Sequence, residues 1–225
     1  QLLLLLALVV VYIFNFKHFK SIAHAGLMTQ WGLYFINIGL SGFVVASVAI
    51  RFVFPAVSLE ARSFYIIRSS PISMREFLKA KFTVYLLPLA ALGVLLTAVS
   101  NYVIGTNAEF TAISISVTLL VSVIVTGLGV GIGAIYPQFK AENPTAIASS
   151  YGGVVYMILS MSAVAVLVAL TVWPTAFLRY PATYARHPVM SNLVILLHLF
   201  LITFLTLACT WLPLRLGARA LDKRE

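Results

Sequence analysis

The stretch RFVFPAVSLEARSFYIIRSSPISMREFLKAKF, residues 51–82, is the one long interruption in a chain that is otherwise a series of apolar segments. It contains six of the fifteen Lys and Arg residues and two of the six acidic residues. The apolar segments on either side are long enough to cross a bilayer as helices. This stretch is therefore predicted to lie outside the membrane, where it meets another molecule.

Two prolines divide this stretch. Pro55 ends the preceding apolar span, because proline supplies no N–H donor to a continuing helix. Residues 56–69 contain no Pro or Gly and are expected to form a short helix. Ser70-Pro71 ends that helix, since the residue before a proline is disfavoured in the α region.

A second helix is predicted to begin near Met74. Ser73-Met-Arg-Glu76 fits a capping box, in which the serine hydroxyl and the glutamate carboxylate satisfy free amide donors at a helix start. This helix is expected to continue into the next apolar span.

The short helix has two apolar faces instead of one. Val57, Ala61 and Phe64 share one face, while Leu59 and Ile66 fall on nearly the opposite face. A helix lying on anionic lipid headgroups has a single apolar face. We therefore favour a helix held between the membrane bundle and a second protein, with the lipid-surface helix as the alternative.

Composition places the whole chain in the membrane. Apolar residues make up 61% and charged residues 9% of its 225 residues, and the mean hydropathy is +1.03. These values indicate an integral membrane protein. The net charge of +9 is interpreted through topology and not through nucleic-acid binding, because the basic residues cluster at span ends. The chain starts with Gln1 inside an apolar run, and we expect it to be a piece of a longer protein.

The predicted fold is all-α, a single transmembrane domain over residues 1–225. It is a bundle of about six spans with a cytoplasmic helix between the second and third. The predicted spans are about 1–16, 31–54, 82–101, 111–136, 151–173 and 191–213. The fifth is expected to end at Trp173-Pro174, and Pro88 is expected to kink the third.

Basic residues predict the orientation. If residues 55–81 are cytoplasmic, eleven Lys and Arg residues lie inside: the six above with Lys140, Arg215, Arg219, Lys223 and Arg224. Four lie outside, namely Lys17, Lys20, Arg179 and Arg186. Short cytoplasmic loops carry an excess of Lys and Arg, so we predict this orientation in the cytoplasmic (inner) membrane of the cell.

Four alternating glycines mark the fourth span. Gly127 and Gly131 share one helix face, and Gly129 and Gly133 share nearly the opposite one. Each pair is a GxxxG motif, whose small residues let helices approach closely. The fourth span is therefore predicted to lie in the middle of the bundle. A dinucleotide-binding loop is excluded, because the third glycine of that motif and a preceding strand are both missing.

The segment PQFKAENPTAIASSYGG, residues 137–153, is predicted to be a cytoplasmic turn. Lys140 and Glu142 are its only charges. Asn143 is expected to cap a short helix that begins at Pro144, since proline fits the first helical position. A tight loop and a functional contact are equally good interpretations of this turn.

No catalytic or metal-binding constellation is found in the sequence. Asp222 is the only aspartate, and HExxH, CxxC and Walker A sequences are absent. His198, in the sixth span, is expected to bond to a neighbouring helix. With no other acid or base predicted near the middle of a span, an ion-coupled transporter is disfavoured.

The strings RFVFPAVSLEARSFYIIRSSPIS and GLGVGIGAIYPQFKAENPTAIASSYGG resemble the permeases of ABC-2 type exporters, over roughly residues 31–225. This resemblance implies a helical membrane subunit that moves substrate outward with a separate cytoplasmic ABC ATPase, which binds the ATP. It also implies a cytoplasmic coupling helix that docks on the ATPase, and residues 56–70 match its position. The expected contact residues are Glu60, Arg62, Arg68, Ser70 and Pro71.

The predicted function is thus that of an exporter permease with no nucleotide site and no cofactor of its own. Its expected partners are the ATPase, the lipid bilayer and a second permease copy or half. A secondary transporter and a non-transporting membrane scaffold or assembly factor are the alternatives.

Overall fold

The computed structural model describes residues 27–61, 64–69, 71–139, 143–179 and 188–223. The first predicted span, residues 1–16, lies outside these ranges. The described residues contain α-helices and 3-10 turns and no β-strand, in agreement with the all-α prediction. The helices are α1 (Leu27–Phe52), α2 (Phe64–Ser69), α3 (Met74–Ile104), α4 (Ala108–Ile135), α5 (Pro144–Ala148), α6 (Tyr151–Arg179) and α7 (Pro188–Asp222).

Five of the described segments are long and apolar enough to cross a membrane, and the chain is a multi-pass membrane protein. They are Gly32–Glu60, Met74–Ile104, Ala108–Ile135, Tyr151–Ala176 and Asn192–Asp222. Each corresponds to one of the predicted spans after the first. About 20 apolar residues suffice to cross the hydrocarbon core, so all five have residues to spare.

The capping box at the start of α3 is present. The Oγ of Ser73 accepts from the backbone N–H of Glu76 at 3.3 Å, and the Glu76 carboxylate accepts from the Ser73 N–H at 3.0 Å. From Met74 the helix continues without interruption to Ile104, as the sequence predicted. Gly105 ends it in the left-handed region at φ 80°, which glycine adopts without steric cost.

The predicted end of the fifth helix at Trp173-Pro174 was wrong, and the sixth helix extends beyond the approximate bounds of its span. Helix α6 continues through Pro174 to Arg179, and α7 continues through Pro213 to Asp222. A proline removes one N–H donor, and packed membrane helices tolerate that loss because neighbouring groups support the backbone. At Pro213 the support is α4, since a Cβ placed on Gly131 would lie 2.5 Å from the Pro213 carbonyl carbon.

Helix α4 forms the centre of the bundle. It contacts α1, α3, α6 and α7, most extensively α7. Of the 18-residue apolar stretch of the α4 span, 72% is buried within the protein, compared with 11% for the corresponding stretch of the α7 span. The other helices are therefore arranged around α4, and α7 presents most of its surface outward.

The single helix predicted over residues 56–69 was wrong. The structure has two 3-10 turns, Phe54–Ala56 and Ser58–Glu60, followed by the six-residue helix α2. Pro55 stands at the start of the first turn, and the turn is buried against α1, α4 and α5. These tertiary contacts fix the backbone path, which local helix propensity alone does not.

Candidate functional site

The connecting segment, defined as the described residues 53–61 and 64–69, is anchored in the bundle by Phe54. The Phe54 ring stacks on the ring of Tyr156 in α6, with centroids 5.8 Å apart. A Cβ at Gly133 would overlap the Phe54 carbonyl oxygen, and one at Gly152 would lie 3.1 Å from the Phe54 ring. Phe54 therefore occupies a notch that exists because glycines of α4 and α6 leave room for it.

Two polar contacts hold the rest of the segment. The backbone N–H of Gln138, in the turn after α4, donates to the Oγ of Ser58 at 3.0 Å. The carboxylate of Glu60 forms an ion pair with Lys81 in α3. These contacts connect the segment to the end of α4 and to the beginning of α3.

The rings of Phe64 in α2 and Phe139 also meet, with centroids 5.0 Å apart. Phe139 belongs to the turn that begins at Pro137 and leads towards Asn143. Together with the Ser58 contact, this packing brings the two predicted cytoplasmic segments, 55–81 and 137–153, to the same end of the bundle.

The two apolar faces predicted for this region have different surroundings. Val57 is fully buried, and Phe64 packs on Phe139. Leu59, Tyr65 and Ile66 are 48%, 71% and 53% exposed. Burying large apolar side chains stabilises an assembly, so an exposed group of them at the end of a bundle is typical of a binding surface.

The structure describes only part of the predicted contact set. Arg62, Ser70, Lys140 and Glu142, and the side chain of Arg68, lie outside the described residues. Glu60 is described and is paired with Lys81, while Pro71 is exposed. Asn143 caps α5, its side-chain oxygen accepting from the Thr145 N–H at 3.0 Å, and Pro144 follows as the first helical residue.

The glycines of α4 pack against two different neighbours. A Cβ at Gly127 would lie 2.8 Å from Thr210 of α7, and Gly131 faces Pro213 of the same helix. A Cβ at Gly129 would lie 3.0 Å from Val53. Gly133 faces Phe54, so the second pair supports the connecting segment.

His198 was predicted to bond to a neighbouring helix, and that prediction was wrong. Its Nδ1 lies 2.8 Å from the carbonyl oxygen of Val194, one turn earlier in α7 itself. Side chains can bond back to the preceding turn of their own helix, and this contact gives the Nδ1 of His198 a partner within α7.

A buried polar cluster was missed by the sequence analysis. The Nδ2 of Asn37 donates to the Oδ1 of Asn101 at 2.9 Å, and the Nδ2 of Asn101 donates to Ser114 at 2.5 Å. The hydroxyls of Thr97 and Thr118 are 2.9 Å apart. The contacts join α1, α3 and α4, and hydrogen bonds of this kind contribute to helix association in lipid. The four-residue spacing of Ser114, Thr118, Ser122 and Thr126 was the available signal.

The described part of the chain contains no group of three His, Cys, Asp or Glu residues placed to bind a metal ion. The site is therefore described by packing, hydrogen bonds and one ion pair.

Comparison with known proteins identifies the family. Neither curated proteins nor solved structures gave a match. A family model described as "Putative ATP-binding cassette" matches residues 1–225, the whole chain. The apolar helices and this match agree on an ABC-related membrane protein, and the chain belongs to that family.

Proposed function

We propose that this chain is the membrane-spanning permease subunit of an ABC-2 type exporter, driven by a separate cytoplasmic ATPase. The family match supports the relation to ABC proteins, and the five apolar helices support a role inside the membrane. The sequence has no Walker A motif, so we assign ATP binding to the partner.

One observation carries the proposal: the connecting segment is buried on one side and exposes apolar side chains on the other. Val53, Phe54 and Val57 lie inside the bundle, whereas Leu59 and Tyr65 are exposed. A segment that receives force from a docked ATPase needs both properties. It must be fixed to the spans, and it must present a surface to the partner.

The contacts suggest how movement would pass into the membrane. Displacement of the segment would act on α6 through the stack of Phe54 on Tyr156. It would act on the end of α4 through the bond between Ser58 and Gln138, and on α3 through Glu60. Three spans would therefore respond to one docking event.

The contact set predicted from the sequence is revised by reassigning one residue and adding three. Glu60 is proposed as a tether to α3, because its carboxylate is paired with Lys81. Arg62, Arg68, Ser70 and Pro71 remain proposed contacts with the ATPase. Leu59, Tyr65 and Ile66 are added as the apolar part of that surface.

The test uses the full-length protein purified from its native membranes under mild detergent. We expect a co-purifying polypeptide that is labelled by azido-ATP. The variant Tyr65→Ala should reduce the labelled polypeptide several-fold, because Tyr65 lies on the proposed docking surface. Tyr102→Ala is the matched control: Tyr102 is 89% exposed and lies near the opposite end of α3.

Three results would contradict the proposal. One is the absence of any azido-ATP-labelled partner. Another is equal loss of the partner in both tyrosine variants. The third is transport by reconstituted protein that continues without ATP, which would favour a secondary transporter.

A further inference from the structure

A groove of about 460 Å³ lies at the same end of the bundle as the connecting segment, between the beginning of α3 and the end of α7. Its lining comes from two chain segments: Ile72, Ser73, Met74 and Arg75 on one side, Leu221 and Asp222 on the other. None of these six residues belongs to the proposed ATPase contact. The groove therefore needs its own explanation.

The beginning of α3 carries two exposed cations, and one of them, Arg75, lines the groove. Met74 and Leu78 form the buried face of the first turns of α3, and Arg75 and Lys79 lie together on one flank of that face. Arg75 lines the groove, which places Lys79 one turn along the same flank. The nearby Glu76 carboxylate is held at the helix start by the N–H and hydroxyl of Ser73.

The α7 wall of the groove is formed by Leu221 and Asp222, and two cations lie next to it on the same helix. Arg215, Arg219 and Asp222 are spaced at i, i+4 and i+7, so they share one flank of α7, and all three are exposed. The guanidinium carbon of Arg215 lies 4.7 Å from the ring centroid of Trp211. Tryptophan is enriched at the boundary between hydrocarbon and headgroups, which places this flank at headgroup depth.

The exposed surface of α7 continues from this flank towards the hydrocarbon core. Leu207, Leu212 and Leu216 are 63%, 55% and 44% exposed. A ligand bound by the cations of the groove would thus have an apolar surface beside it for attached hydrocarbon chains. Free phosphate would make no use of that surface.

We propose that this groove binds the headgroup of an anionic phospholipid of the cytoplasmic leaflet. Arg75, which lines the groove, contacts the phosphate, and the acyl chains lie along α7. Lys79, Arg215 and Arg219 lie on the neighbouring helix flanks and supply further positive charge. These four cations outnumber the two nearby carboxylates, Asp222 in the lining and Glu76 beside Arg75, so the charge balance favours an anion. A bound lipid bridges the first turns of α3 and the last turns of α7, two helices that both contact α4. This assignment depends on membrane insertion and not on the partner ATPase.

The test measures binding of phosphatidylglycerol to the full chain in neutral detergent, by lipid retention in native mass spectrometry and by the rise in melting temperature. Each basic residue near an anionic surface contributes about a five-fold gain in affinity. Arg75→Gln and Arg219→Gln should each weaken phosphatidylglycerol binding by about that factor. Arg51→Gln removes the same charge from an exposed position at the end of α1, outside the groove, and should leave binding unchanged.

A second variant tests the site by a gain. Asp222→Asn removes the opposing charge and should tighten phosphatidylglycerol binding, a result that a misfolded protein would not give. If Arg51→Gln weakened phosphatidylglycerol binding as much as Arg75→Gln does, the effect would come from the overall charge of the protein and not from the groove. That result would overturn the proposal. So would an equal rise in melting temperature with inorganic phosphate, or preferential retention of phosphatidylethanolamine that Asp222→Asn abolishes.

Discussion

The aromatic rings of Phe54 and Tyr156 lie 5.8 Å apart, centroid to centroid, with their planes inclined by 29°. Phe54 belongs to the connecting segment, and Tyr156 is fully buried in α6. The pair is a fully buried contact between that segment and a membrane span, and it joins residues separated by about a hundred positions in the chain.

Tyr156→Ala should destabilise the protein by about 3 kcal/mol, because a large buried aromatic side chain would leave a cavity under Phe54. The melting temperature in detergent should fall clearly. Tyr102→Ala, which removes the same side chain from an 89% exposed position, should have little effect. Equal melting temperatures for the two variants would show that the ring stack does not hold the segment.

Gly131→Leu and Gly133→Leu should both disturb assembly, each against a different neighbour. The first would press on the Pro213 backbone and the second on the Phe54 carbonyl. Gly39→Leu is the control, since no atom lies within 4 Å of a Cβ at Gly39. The measurement is the monodisperse fraction after size-exclusion chromatography. Sensitivity at only one of the two α4 positions would mean that α4 is not packed on both faces.

Asn101→Leu should lower stability by about 1 kcal/mol, the usual scale of an interhelical hydrogen bond in lipid. The substitution removes the bonds to Asn37 and Ser114. Asn107→Leu is the control, because the Asn107 side chain is exposed and makes no capping bond to α4. Reversible unfolding in mixed micelles gives the free energies to compare. Equal losses of unfolding free energy in the two variants would show that the polar cluster does not contribute to helix packing.

The orientation predicts that residues 183 and 220 lie on opposite sides of the membrane. Single cysteines at Thr183 and Ala220, in a Cys209→Ser background, should therefore react with a membrane-impermeant maleimide from opposite sides. The physical reason is the excess of Lys and Arg at one end of the spans. Labelling of both from one side of the membrane would refute this topology.

Local features of the structure were predictable from the sequence, because their partners are a few residues apart. The capping box of Ser73 and Glu76 and the cap at Asn143 follow from side-chain chemistry within one turn. The later spans followed from apolar length alone. These signals needed no knowledge of which helices are neighbours.

The remaining features depend on distant residues and were missed for that reason. The first 3-10 turn begins at Phe54, which lies in a notch beside Gly133 and Gly152. No residue near Phe54 in the sequence indicates that notch. Helix α7 extends beyond the predicted span of about 191–213, and the contact of Pro213 with α4 is between residues remote in the chain. The bond of Asn37 to Asn101 spans 64 positions. The direction of α2 and the pairing of Glu60 also depend on the whole bundle.

The contact of Gly127 and Gly131 with Thr210 and Pro213 has a consequence for biogenesis. Helix α7 is synthesised after α4. When α4 leaves the ribosome, the face that carries Gly127 and Gly131 therefore does not yet have α7 as its partner. Until α7 has been inserted, Gly127 and Gly131 are without the packing partner that they have in the structure. The close contact of these two helices can therefore form only after α7 has been synthesised.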